Sequence, residues 1–414
     1  MTDTLVQPST TLWTERAAAW IDTRFQEQFS RYRRDYVQYL ARRCRDFDVK
    51  GTATQGAFAL ELMRVFVEPD VVFYPLPETS SDLTRLLPRE LCQGRLAIWD
   101  YMRSESLAGQ NLAIVGPPGC GKTTLLKHVA LTLAADRKQR RQRRAPDKLP
   151  ILLVLRDLVQ AIEENADLSL AQAVLDNLDR QDGPTAPQGW FARQLEQGRC
   201  LVMLDGLDEI ADPNGRRQVA AWVERQMSVW HKNRFVVSSR IDGYRSNSLS
   251  GVIVLRISPF EGDQVDRLAF NWCAANVMAN THHDDAGVRT KARQEAEDML
   301  RRIRNVPVLA VLAANPLLLT LLANVHHCSD SLPGSRTELY AKSCHVSLGE
   351  RTASQGPETG LTLSQKQHTL SASLCPRRAD LYDNTRSENF SQEETQGVGQ
   401  NSRRSACDHA RITT

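Results

Sequence analysis

The sequence predicts an α/β protein: a parallel five-stranded sheet covered by helices on both faces, preceded by a helical N-terminal segment and followed by a helical subdomain. Three observations lead there. Short apolar runs rich in β-branched residues, at 112–115, 151–155, 201–204, 235–237 and 252–255, are separated by helix-like segments such as 123–135, 168–178 and 218–230. That alternation is the pattern of strands buried on both faces and joined by crossover helices. A glycine-rich loop follows the first run and opens into a helical stretch, and from Phe260 to His327 the chain reads as helix throughout.

Taken in order, residues 1–89 form the helical N-terminal region. Trp13, Trp20, Phe25, Tyr32, Tyr36 and Tyr39 alternate with Arg31, Arg33, Arg34, Arg42, Arg43 and Arg45 at helical spacing. A basic and aromatic mixture of this kind stacks on RNA. The interspersed Asp35, Asp46 and Asp48 argue instead for a packed helix with a solvated basic face. After a loop at 49–56, AFALELMRVFVE reads as a second helix, and Pro75 and Pro77 end it. The core domain spans 90–259. Within it RKQRRQRR, residues 137–144, carries six basic residues in eight; such a run can contact nucleic acid or an acidic lipid, as in a nucleic-acid-stimulated motor, but more often is a solvated loop between helix and strand, the reading expected here. The helical subdomain spans 260–346. Residues 305–325 have the length of a bilayer span, but Asn305, Pro307, Asn315, Pro316 and Asn324 interrupt them. Two short buried helices broken at Asn315-Pro316 are expected. Residues 347–414 lose hydrophobic periodicity, and from Ser371 onward the mixture of Ser, Thr, Gln, Asn and Arg is expected to build no core.

The whole-chain composition bounds the function. A hydrophobic fraction of 41% and a charged fraction of 24% in 414 residues exclude wholesale disorder and fibrous repeats. A net charge of +3 argues against a strongly basic nucleic-acid binder. Nine cysteines at irregular spacing, with no basic-then-apolar leader, lead us to expect reduced thiols and a cytoplasmic location.

The chemistry concentrates in three motifs. Gly116-Pro117-Pro118-Gly119-Cys120-Gly121-Lys122-Thr123 matches G-x-x-x-x-G-K-[ST] and continues into Thr124 and an apolar helix. Glycines let backbone N–H groups curve around phosphate oxygens, and the helix N-terminus adds a positive dipole end. Lys122 is expected to reach the β- and γ-phosphates and Thr123 to ligate Mg²⁺. Cys120 is expected to turn away from the nucleotide rather than act as a nucleophile. Next, LVMLDGLDE places Asp205 at the end of a buried strand, where ligands bind in such sheets. Asp205 suits Mg²⁺, and Asp208 or Glu209 suits the orientation of an attacking water. Third, RFVVSSR ends a strand in Arg240, a γ-phosphate sensor if that strand neighbours Asp205. His282-His283, His326-His327-Cys328 and Cys344-His345 do not make a zinc spacing.

Together GPPGCGKTTLL, LVMLDGLDE and VVSSR resemble the NACHT class of signal-transduction P-loop NTPases. FDVKGTATQG, LELMRVFVE, SPFEGDQVDRLAFNW, NPLLLTLL and LPGSRTELY resemble bacterial members in particular. The resemblance implies an ATP/ADP switch with slow Mg²⁺-dependent hydrolysis and homo-oligomers in the ATP state. It also implies an unidentified sensor or effector partner and a role in defence against phage. It further assigns Pro316 to the adenine and makes residues 305–325 part of the helical subdomain. Family members continue into a winged helix, whereas SASLCPRRADLYDNTRSENF does not follow that pattern and reads as a truncated or replaced remnant. A non-catalytic nucleotide-binding scaffold lacking its C-terminal sensor is the alternative.

Overall fold

Each of the five apolar runs becomes a parallel strand, and a sixth strand joins them from the N-terminal region. The computed structural model describes residues 30–46, 60–75, 88–142, 145–281, 285–328 and 332–343, all within the compact unit Met1–Ser354. The strands are β1 (Val71–Phe73), β2 (Asn111–Val115), β3 (Leu149–Val154), β4 (Cys200–Asp205), β5 (Arg234–Ser239) and β6 (Val252–Ile257). They stand in the order β1-β6-β2-β5-β4-β3. Strands β2 to β6 are mutually parallel, and every residue of β4 is buried, as a continuous apolar run requires.

The expected five strands are therefore six. β1 pairs antiparallel with β6, Val71 opposite Ile257 and Phe73 opposite Leu255. Three residues flanked by Pro69 and Pro75 carry too little periodicity to be read as a strand. Proline is nevertheless tolerated beside a short edge strand, where no ladder bond is lost. The helix expected over AFALELMRVFVE contracts among its described residues to the single turn Leu62–Val65.

Helix α1 (residues 30–44) turns Tyr32, Tyr36, Leu40 and Cys44 into the core beside the sheet. The Tyr36 hydroxyl donates to the Pro150 carbonyl at 3.1 Å, and the Tyr32 ring meets Trp190 edge-on at 4.7 Å. These described aromatics are core, so they offer no stacking platform to RNA. Helix α2 (Lys122–Ala134) buries Leu125, Leu126, Val129, Ala130 and Leu133. The basic run differs from expectation: Arg137–Gln142 forms a short helix, α3. Its first turn is closed by the Gln139 N–H donating to Asp136 at 2.8 Å. Helix α4 (Pro213–Val229) starts with Asp212 as cap and Pro213 in its first turn, and buries Trp222.

The helical subdomain comprises α5 (Gly262–Thr281), α6 (Ala286–Arg304), α7 (Pro307–Ala313) and α8 (Pro316–Cys328). Its core gathers Trp272, Met299, Ile303, Leu309, Leu322 and Val325, together with Val65 and Val67 from the segment before β1. The apolar stretch 305–325 breaks at Asn315, whose side-chain oxygen accepts from the Leu317 and Leu318 amides at 3.0 and 3.4 Å. Among the described residues no helix is long and apolar enough to cross a membrane. The expected remnant and tail, 347–414, lie outside the described residues.

Candidate functional site

The loop between β2 and α2 turns on two glycines, Gly119 (φ +77°) and Gly121 (φ +94°), in the left-handed region that other residues rarely enter. The Lys122 ammonium folds back to donate to the Gly116 and Pro117 carbonyls at 2.8 and 3.1 Å, closing the loop into a ring. Cys120 is buried in that ring, and burial pushes its thiol pKa up.

Strand order brings the acids beside the basic motif. β4 and β5 are neighbours, so the Ser238 hydroxyl donates to Asp205 Oδ1 while its oxygen accepts the Gly206 N–H at 2.9 Å. This orients a buried carboxylate at the sheet's C-terminal edge. Asp208 is held at both oxygens by one residue: the Arg240 backbone N–H at 2.7 Å and its Nε at 3.0 Å. Gly243 lies against it, so close that a Cβ there would stand 2.4 Å from Asp208 Cβ. Glu209 accepts from Arg156, which follows β3, at 2.9 Å.

Lys122, Asp205, Asp208, Glu209, Ser238 and Arg240 open onto one cavity of about 310 Å³. Its lining includes Pro118, Gly119, Cys120, Gly121, Lys122, Thr123, Thr124, Asp205, Asp208, Glu209, Ser238 and Arg240. Its apolar lining includes Leu62, Phe66, Val67, Phe260, Leu268, Pro316 and Leu317. Every site residue chosen from sequence lies at this cavity except Gly116 and Pro117, which serve as acceptors for Lys122. The apolar lining, apart from Pro316, was not foreseen. Its residues come from three distant segments, and only the apolar alternation in VFVEP hints at a lining strand. The helical subdomain closes the cavity directly on the phosphate loop: Asn315 Nδ2 donates to the Pro118 carbonyl at 3.1 Å and the Leu317 amide to Gly119 at 3.3 Å.

The donor set fits a hard divalent cation: the hydroxyl-oriented Asp205 carboxyl and Thr123 line the same cavity, and Mg²⁺ selects oxygen ligands of this kind. The described histidines of the helical subdomain are used otherwise, while His282, His283, Cys344 and His345 lie outside the described residues. His326 meets Asp298 at 3.3 Å and His327 lies edge-on to Trp272.

Residues 110–276 match the NACHT domain family. This stretch is a NACHT domain. It contains the phosphate loop, the Asp205 strand and Arg240 described above, and the protein is a nucleotide-binding P-loop NTPase. Among solved structures the chain is similar to the Aeropyrum pernix Orc1 protein in complex with DNA, at 18% identity and a TM-score of 0.26 over 69% of this chain and 85% of that one. It is also similar to Caenorhabditis elegans PCH-2, at 12% identity and a TM-score of 0.30 over 59% of this chain and 62% of that one. A third similarity is to domain III of the Thermotoga maritima replication initiation protein DnaA, at 13% identity and a TM-score of 0.27 over 65% and 97%. No curated protein matches the chain.

Proposed function

We propose that this NACHT domain binds ATP and ADP with Mg²⁺ and hydrolyses ATP slowly, as a switch whose ATP form assembles into homo-oligomers. The observation that carries the reading is a single cavity lined both by phosphate-binding groups and by apolar side chains that can receive a base. Lys122 and the loop amides bind phosphates; Thr123 and Asp205 hold the metal ion; Phe66, Val67, Leu268 and Pro316 receive the base. When bound, Mg²⁺ neutralises charge on the phosphate oxygens. Glu209 orients the attacking water, Arg240 contacts the γ-phosphate, and Asp208 acts through Arg240 by fixing its position. The resemblance to bacterial NACHT proteins extends the reading to cytoplasmic antiphage defence with a sensor or effector partner.

Binding of a fluorescent ATP analogue tests the core of this reading, with Lys122→Ala expected to abolish it. Unchanged binding in that variant would sink the proposal. A second reading, a nucleotide-binding scaffold without turnover, is favoured by one observation: both candidate water-orienting acids already hold arginines. Single-turnover hydrolysis separates the two. Phosphate release that disappears in Glu209→Gln supports the NTPase, and no release from the unmodified protein supports the scaffold.

A further inference from the structure

The two basic segments that stand a hundred residues apart in the sequence meet in the fold. Asp147 Oδ1 accepts from Arg33 on α1 and from Arg140 on α3, each at 2.9 Å. Arg137 lies close enough to lower the same carboxyl further, after the larger effect of Arg33. Lys148 is the next residue, and its ammonium reaches the Gly198 carbonyl at the start of β4. Arg137, Lys138 and Arg141 are exposed and have no ion-pair partner among the described residues. The cluster thus sets Arg33, Arg137, Lys138, Arg140, Arg141 and Lys148 against Asp136 and Asp147. Leu149 and Cys200 open β3 and β4 here, whereas Asp205 ends β4, so the cluster sits at the sheet edge opposite the nucleotide cavity.

We propose that this surface binds the phosphate backbone of duplex nucleic acid without reading its sequence. A duplex carries a charge for about every 1.7 Å of its axis, so it meets several closely spaced cations at once. A protein's acidic side chains are more widely spaced and mixed with neutral ones. A lipid surface fits less well: α3 has no apolar residue to insert, and none of the exposed large hydrophobic side chains, Met63, Val229, Val308, Val311 and Tyr340, belongs to α1 or α3. Tyr32 and Tyr36 are buried, which removes the stacking that favours single strands. Because the surface lies away from the cavity, duplex and nucleotide bind together.

The test is fluorescence anisotropy of the full chain with a labelled random duplex of about 20 base pairs, titrated from about 50 to 200 mM salt. The unmodified protein should bind with a log–log salt slope of about −4, weakening by roughly 250-fold over that range. Arg137→Gln/Lys138→Gln/Arg141→Gln should bind at least about tenfold more weakly, with the slope reduced by about 2–3, since three phosphate contacts are removed. Arg137→Lys/Arg141→Lys keeps the charge and should bind as the unmodified protein does, which separates lost charge from lost folding. Any of three results overturns the proposal: no binding by the unmodified chain at low salt, equal binding by the glutamine variant, or tighter binding to a single strand. Capture by phosphatidylglycerol vesicles without duplex binding also overturns it and assigns the surface to a membrane.

Discussion

Replacing Gly119 with alanine, beside the same change at Gly121, measures how firmly the helical subdomain is seated on the phosphate loop. Both glycines have positive φ, and a Cβ in that region costs about 1–2 kcal/mol. At Gly121 that is the whole cost, because nothing lies within 4 Å of the added atom. At Gly119 the new Cβ would stand 2.9 Å from Asn315 Oδ1 and 2.9 Å from Leu317 Cβ. Asn315 Oδ1 is engaged as the α8 cap, and Leu317 Cβ moves only with its backbone, so no rotamer change relieves the overlap. Overpacking of this kind adds about 1–3 kcal/mol, giving about 2–5 kcal/mol in total against about 1–2 at Gly121. With about 2–4 °C of melting temperature per kilocalorie in a domain this large, Gly119→Ala should melt well below Gly121→Ala. Hydrogen exchange supplies the second measurement. The Leu317 amide, which donates to Gly119, should stay protected in Gly121→Ala and exchange faster in Gly119→Ala. If the two variants prove indistinguishable in both measurements, the subdomain is not seated through Asn315 and Leu317 and the reasoning fails.

Three further outcomes are expected. Gly243→Ala should push Asp208 off Arg240 and slow single-turnover hydrolysis at least about tenfold, a barrier increase of about 1.4 kcal/mol, while nucleotide affinity changes little; hydrolysis at the unmodified rate would contradict this. Tyr36→Phe should leave the buried Pro150 carbonyl without its donor and cost about 1–2 kcal/mol in denaturant unfolding, and an unchanged midpoint would show that the contact contributes nothing. The third concerns pH. Arg33 holds the Asp147 carboxyl below the usual carboxylate range, so its contribution is complete above the unfolded value, about pH 4, and is lost as pH falls through the lower folded value. The melting difference between Asp147→Asn and the unmodified protein should therefore be present near neutrality and shrink in acid below about pH 4; a difference constant into strong acid would refute the link.

Much of the fold was legible because its signals are local. The loop from Gly116 to Thr123 announces itself in eight consecutive residues, since every part of a phosphate cradle is backbone geometry and a helix start. The runs that became β2 to β6 are each contiguous, and burial on both faces leaves them no polar alternation to confuse the reading. Asn315-Pro316 declared the break between α7 and α8 because a residue before proline is kept out of the helical region. By itself, then, the sequence determined the α/β class, the phosphate loop, the strand bearing Asp205 and the division of the apolar stretch 305–325.

Tertiary structure decided what each of those pieces faces. Periodicity says that one side of α1 is apolar, but only the packing of Tyr32 and Tyr36 against the core shows that this side meets protein rather than nucleic acid. The strand order that puts Ser238 beside Asp205 and Arg240 beside Asp208 is a long-range pairing with no trace in either segment. The same holds for β1, for the Arg156 contact on Glu209, for the apolar lining of the cavity and for the meeting of Arg33 with Arg140 at Asp147. The physical reason is common to all of them. A side chain's type and spacing fix which surfaces must be covered, whereas the partner that covers them is chosen by contacts between segments far apart in the chain.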